Sequence, residues 1–400
     1  MKRLLWALLF VAAATPTWAA KKTTVAQLQE MLQNMQHDRK SDADVATALK
    51  QIELTEELTR SAMNTLMALV PGQHSTEQIY VLEARSANLI PPASDLPATP
   101  APDAATQQAI LDKATKYAAD SFERLPALSA TRTTLRFQDN VEAVASSSGI
   151  TGGAKDIVTS SGFSNAATFV HYINSTQVQV TLEHGVAKVP AETTKAQWGA
   201  NKMIALEEPD PSLSAVFKEA QKSGTLRWLR WEMVNGVETA VYSFAVPKKV
   251  SRLALNVCCF PKVKQAGIAT FYTSTTAASL GDGSGGGGGG VTGNFQTNTD
   301  WHNYKATTPY KGQFFIDPKS GTVLRMITES ELDPSEVVHQ LDTRIDYAPM
   351  NISGKTHVVP VKTIVNTEVV PNGDSGAGGY KTRCTLFTTQ YKDFQIAATK

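Results

Sequence analysis

The chain has 400 residues, 42% of them hydrophobic, which is ordinary for a globular protein and long enough for about two domains of roughly 100–200 residues each. Lysine plus arginine (38) nearly cancels aspartate plus glutamate (37), leaving a formal charge of +1, so there is no global field to gather nucleic acid and none is expected as a partner. Only three cysteines are present, Cys258, Cys259 and Cys384, which excludes a disulfide scaffold, and no thiol or histidine pair falls at zinc spacing, so neither metal nor cofactor is expected.

Residues 1–19 read as a secretory signal: basic Lys2-Arg3, an apolar run from Leu4 to Ala14, then Thr17 and Ala19 as the small residues before a cut. That run is too short to cross a bilayer. Export to the periplasm or the extracellular space is therefore the expected localisation. Residues 20–90 read as a helical segment. Val25, Leu28, Met31, Leu32 and Met35 recur at three and four residues. Ser41-x-x-Asp44 is a start signal for Val45, Ala48, Leu49 and Ile52. Leu58, Ala62, Leu66 and Leu69 continue the pattern to Pro71-Gly72, and a further helix is expected from Ser75, carrying Ile79, Leu82 and Leu89. Such stripes form an internal core or a docking arm for an envelope protein partner.

Residues 91–103 are a proline-rich linker, with Pro91, Pro92, Pro97, Pro100 and Pro102 holding the chain extended. Residues 104–400 are expected to form a β-rich domain. Asp103 caps its opening helix, 104–125, whose Ile110, Leu111, Ala114, Tyr117, Ala118, Phe122 and Leu125 share a face. After Pro126 the period changes from helical to alternating, and segments such as "TTLRF", "ETAVYSFAV", "SRLALNVCCF" and "GQFFIDPKSGTVLRMIT" read as antiparallel strands with short turns. One helix interrupts them at 211–222, where Asp210 is the expected cap and Pro211 the first helical position. The stretches "ASSSGITGGAKDIVTSSG" and "TTAASLGDGSGGGGGGVTG" fit neither period and read as loops between strands.

Two short motifs imitate catalytic ones. Gly373-Asp374-Ser375-Gly376 matches the nucleophile loop of chymotrypsin-type proteases over four residues, but no histidine base in a matching context accompanies it, and a hairpin loop is expected there. "SGKT" (Ser353 to Thr356) has Pro349 where a phosphate loop needs its first glycine, and a strand follows it instead of a helix, so it reads as a turn. The seven histidines show no metalloprotease spacing. No catalytic residue is assigned and the chain is not read as an enzyme. Aromatic residues carry the remaining signal. Trp228, Trp231, Tyr242 and Phe244 follow the 211–222 helix, whose Leu213, Val216 and Phe217 share a face. These seven residues either pack a core or line a cavity for an apolar or lipid-like ligand between sheet and helix. Alternation places Cys259 on one face with Leu253, Leu255 and Val257, and Cys384 on one face with Tyr380 and Leu386, which makes them the expected disulfide pair if those strands are neighbours.

Stretches including "IPPASDLPATPAPD", "WEMVNGVETAVYSFAVP", "YKGQFFIDPKSGTVLRM" and "RIDYAPMNISGKTHVVPVKT" resemble a family of uncharacterised secreted bacterial proteins, over most of the chain after the signal. That resemblance implies no activity. Where the family often has Cys-Pro this chain has Val359-Pro360, so the family's disulfide to that position is impossible here. The β-rich part resembles the half-barrel of periplasmic lipoprotein carriers, the LolA-like fold. The expected fold is thus α+β: an N-terminal helical segment, then a curved, half-barrel-like antiparallel sheet with one or two covering helices. The expected function is non-catalytic binding in the envelope, with a structural or regulatory module that docks a protein partner as the alternative.

Overall fold

A computed structural model describes residues 20–120, 125–139, 170–189, 211–263, 299–333, 336, 338–369 and 383–397. Among the described residues it is an α+β structure in which six α-helices accompany a ten-stranded antiparallel sheet that does not close. Four helices come first: α1 (Val25–His37), α2 (Asp42–Lys50), α3 (Arg60–Met67) and α4 (Gln73–Ser86). Thr24 and Gln27 form a reciprocal capping box on α1, and the Ser41 hydroxyl accepts from the Asp44 N–H at 3.2 Å on α2. α4 has no cap of its own. Asp42 supplies one from α2, accepting from the N–H groups of His74 at 3.0 Å and Ser75 at 2.9 Å. The helix therefore starts at Gln73, ahead of the expected Ser75, because a cap borrowed from another helix has no local sequence pattern. Leu28, Leu32, Leu49, Leu66 and Ile79 close a core within this layer. Beside it β1 (Lys21–Thr23) and β2 (Ile52–Leu54) pair in parallel.

α5 (Ala104–Asp120), α6 (Leu213–Ser223) and twelve further strands complete the described chain. The strands are β3 (Leu128–Gln138), β4 (His171–Glu183), β5 (Val186–Lys188), β6 (Arg227–Val234), β7 (Val237–Val246), β8 (Ala254–Val263), β9 (Thr299–Thr307), β10 (Tyr310–Ile316), β11 (Val323–Ser330), β12 (Val338–Ile352), β13 (Lys355–Val369) and β14 (Arg383–Ile396). The sheet order is β5-β4-β3-β14-β13-β12-β11-β10-β7-β6. Hairpins give the local order: Asn235-Gly236 and Ser353-Gly354 both take left-handed backbone angles, φ 51 and 82 then 51 and 79, in two-residue turns whose twist suits antiparallel strands. The "SGKT" segment is thus a hairpin turn. The chain is not a single meander, because β14 returns to β3 and β7 skips to β10, while β8 and β9 leave the sheet to pair with each other.

Both faces of the sheet are covered. On one, Ile110 and Ala114 of α5 and Leu213, Val216 and Phe217 of α6 pack over β7, β10 and β11. Gly321, with φ +78, lets the β10–β11 turn touch α5, since a Cβ there would lie 2.5 Å from the Lys113 backbone. On the other face Val81, Ala84 and Ala87, from α4 and just beyond it, meet Phe137, Ile364 and Leu386. The proline-rich stretch joins the two coverings around the β6 edge. Trp231 Nε1 donates to the Pro100 carbonyl at 2.9 Å, and Thr99 Oγ1 to Glu238 Oε1 at 2.6 Å. It is a strap along the edge strands. α6 begins at Leu213 after Ser212 rather than at Pro211, and Asp210 lies outside the described residues.

Buried charges join α4's layer to the sheet. Glu57 lies 3.1 Å from Arg325 and 2.6 Å from Arg344, and Asp346 lies 2.7 Å and 3.1 Å from the same two arginines. Glu232 adds a contact to Arg325 at 3.5 Å and to Arg230, so three carboxylates meet three guanidiniums. Lys362 and Glu83 form a further pair. Ions taken out of water must be matched in this way, since an unmatched one costs several kcal/mol. Burial alone would raise the Asp346 pKa, but Arg325 and Arg344 overcome it and hold the carboxyl well below its ordinary range.

Candidate functional site

The space between α6 and the sheet is filled with rings. Phe217 and Phe314 have centroids 4.9 Å apart, Phe244 stacks on Phe314 at 4.5 Å, and Trp228 meets Trp231 at 4.9 Å and Tyr242 at 5.8 Å. Leu213, Val216, Phe217, Tyr242 and Phe244 are buried, while Trp228 and Trp231 are partly exposed beside them. The structure therefore gathers all seven sequence-predicted residues into one cluster, and they contact one another. Gly312 makes the stacking possible, since a Cβ there would lie 2.6 Å from the Phe244 ring. The Tyr242 hydroxyl donates to the Gln107 carbonyl at 2.9 Å, and burial pushes its pKa up to about 12.

Open space lies at the amino-terminal end of α6. A cleft of about 310 Å³ is lined by Pro211, Ala215, Val216, Leu253 and Tyr310, with Glu219 and Arg252 beside them. Val216 is the one predicted ligand residue on its wall. Glu219 organises this end, because its Oε2 accepts from the Tyr310 hydroxyl at 2.8 Å and from the Arg252 N–H at 3.1 Å. Burial, with Glu219 alongside, raises the Tyr310 pKa far above its usual value, so this phenol stays a neutral donor. The wall is mainly apolar, and such a cleft sorts ligands by shape and hydrophobicity.

The same face changes character from β12 onward. Cross-strand register sets Ile345 opposite Thr363, Thr363 opposite Thr389 and Thr389 opposite Thr134. In the next row Thr343, Val365, Phe387 and Arg136 follow one another. Thr134 and Thr389 share a hydroxyl contact of 2.9 Å, and Arg136 Nη1 donates to Thr176 Oγ1 at 2.8 Å with its guanidinium 5.9 Å from the Phe387 ring. Sequence reasoning missed this strip, although threonine at alternate positions of "KTIVNTEV" and "TLFTTQY" was its visible signal.

Among the described residues no group of three or more histidine, cysteine, aspartate or glutamate side chains could hold a metal ion. Ser375 and its loop lie outside the described residues, as do the side chains of Cys258 and Cys259. Cys384 is a free thiol, which burial pushes up to about 12 with Asp139 and Glu368 adding to the effect. β14 pairs with β13 and β3, whereas β8 pairs with β9, so the sheet does not set Cys259 beside Cys384 as their proposed disulfide requires. Comparison with protein-family models, curated proteins and solved structures gives no match.

Proposed function

We propose that the chain is an exported, non-catalytic binding protein of the cell envelope, whose open sheet acts as a half-barrel holding an apolar or lipid-like ligand. The observation that carries this reading is the mainly apolar cleft at the start of α6, walled by Val216, Leu253 and Tyr310. It shifts the ligand from the ring-filled interior, where Phe217 meets Phe314, to the helix end. An acyl chain suits the cleft because burying apolar surface yields about 25 cal/mol per Å² and needs no polar partner. The signal-like opening, Met1 to Ala19, supports the export part. The partner-docking alternative loses α4, whose Val81 and Ala84 already cover the sheet.

Titration of the purified chain with a fluorescent fatty-acyl probe tests the reading. Ala215 is exposed on the cleft wall, so Ala215→Trp fills the space without entering the core. Saturable probe binding by the unmodified protein and its loss in Ala215→Trp, at unchanged thermal stability, is the expected result. Equal binding by both proteins refutes the cleft as the site.

A further inference from the structure

The apolar cleft beside α6 carries charge on its rim. Glu219 and Arg252 both line it, yet their side chains do not pair with each other. Glu219 Oε2 instead accepts from the Tyr310 hydroxyl at 2.8 Å and from the Arg252 backbone N–H at 3.1 Å, so the carboxylate is engaged by the protein's own donors. The Arg252 guanidinium is not engaged. It is exposed and makes no hydrogen bond or ion pair among the described residues, which leaves its fork of N–H donors and a full positive charge unspent. Its place in the fold is nonetheless fixed. The Ser251 hydroxyl donates to the Thr308 carbonyl at 2.7 Å and accepts from the Leu253 N–H at 3.1 Å, while Val250 packs on the core under α6. The N–H groups of Val250 and Ser251 return to the Pro247 carbonyl at 2.9 Å and 3.0 Å, closing a turn that carries Lys248 and Lys249. Both lysines are exposed and have no ion-pair partner among the described residues. Residues 248–252 thus present three cations next to an apolar wall, in a chain whose overall charge is only +1.

Unspent cations beside an apolar wall select amphiphiles by the sign of their heads. A cationic head would meet three like charges and could draw only on a carboxylate that already has two donors. A neutral head would leave the guanidinium as it is. A carboxylate or phosphate completes it through charge-assisted hydrogen bonds, about twice as strong as neutral ones. Glu219 opposes an anion, but its single charge is outnumbered by Lys248, Lys249 and Arg252. The size of the cleft limits the tail: 310 Å³ is at the small end of the roughly 300–1,000 Å³ usual for ligand pockets, which suits one short chain rather than several. We infer that the cleft takes a single-chain anionic amphiphile, its tail against Val216, Leu253 and Tyr310 and its carboxylate or phosphate head on Arg252. This rests on the binding function proposed above and adds to it the sign of the head and the number of chains. Glu219 is a positioning residue in this arrangement, because it ties the Arg252 backbone and the Tyr310 hydroxyl to α6.

Calorimetric titration of the full chain with ligands that share an octyl tail tests the inference. The ligands are octanoate, octyl phosphate, octyl glucoside and octyltrimethylammonium, each below its micellar concentration, with acetate as a head that has no tail. The proteins are the unmodified chain, Arg252→Gln and Ala215→Trp. Arg252→Gln keeps the backbone N–H that Glu219 accepts and breaks no side-chain contact, so its Tm should equal that of the unmodified chain. One of the two anions is expected to bind the unmodified chain roughly fivefold more tightly than octyl glucoside, the upper end for an exposed ion pair, with the cation weakest. Either anion leading supports the inference, and the leader tells a carboxylate head from a phosphate. That lead should shrink as salt rises from about 0.02 to 0.5 M and vanish in Arg252→Gln, with octyl glucoside unaffected. Equal binding of anions and octyl glucoside by the unmodified chain, or a lead that survives Arg252→Gln, overturns the inference; loss of all binding in Ala215→Trp then leaves the cleft standing. Tightest binding of octyltrimethylammonium overturns it as well and moves the head to Glu219. Acetate competing as strongly as octanoate overturns the amphiphile, because the tail then adds nothing. Failure of every octyl ligand to bind the unmodified chain overturns both readings.

Discussion

Asp342 and Asp346 lie four residues apart on β12 and respond to burial in opposite directions. Asp342 is pushed up to about 6 by burial, against a hydrogen bond from Gln340, with Glu329 across the strands adding to the rise. Its folded pKa therefore exceeds the unfolded value near 3.9, so the fold gains stability as pH falls through 6 and loses it as pH rises. At 1.36 kcal/mol per unit the effect is about 3 kcal/mol at most. Asp346, held low by two arginines, works the other way: its contribution is present above the unfolded pKa and disappears as pH falls below about 4. Between them these groups place the optimum near pH 4, with the Asp342 contribution falling away between pH 4 and 6. Replacing Asp342 by Asn should raise the melting temperature at pH 8 and flatten the profile between pH 4 and 7. An unchanged slope in that range would exclude Asp342 as its source.

At the scale of elements, α6 and β10 make the aromatic core, and two substitutions probe it. Phe217 is 1% exposed and packs against Phe314, so Phe217→Ala should cost about 3–5 kcal/mol in urea denaturation. A loss under about 1 kcal/mol would mean that the ring fronts space. Gly312→Ala should also destabilise, by about 1–3 kcal/mol, because the added methyl would lie 2.0 Å from the Ile327 carbonyl and 2.6 Å from Phe244. A neutral result would show that β10 shifts freely. These elements were partly legible beforehand. Alternation in "ETAVYSFAV" and the stripe Leu213, Val216, Phe217 mark the strand and helix, and their shared burial follows. What the rings do to one another was not legible, since packing density depends on register: Phe314 is set opposite Tyr242 and Met326 by pairings that no local period encodes. The same limit hid the threonine strip, which exists only once β12, β13, β14 and β3 are ordered side by side. The departure of β8 and β9 was likewise invisible, because a strand's alternation does not name its neighbour.

At the scale of the whole molecule, the helical layer has its own core, which includes Leu28, Leu32, Leu49 and Leu66. It reaches the sheet through the apolar residues of α4 and through the ions around Glu57. A layer joined by few but costly contacts can separate when one of them is unbalanced. Arg344 is the natural target, for it meets both Glu57 and Asp346 and also donates to the Ala87 carbonyl at 3.2 Å. Arg344→Met leaves three carboxylates, Glu57, Glu232 and Asp346, facing only Arg230 and Arg325, a break expected to cost about 3–5 kcal/mol. Adding Glu57→Gln restores the match at two against two, so the double variant should lose less than the sum of the single losses. The cost falls on the joint between layers. Hydrogen exchange in Arg344→Met should therefore quicken across α1 to α4 while β10 to β13 stay protected, and denaturation should split into two transitions. Uniform loss of protection in sheet and helices alike, with one transition, would instead show that the ions stabilise the sheet itself and that the helical layer has no independent existence.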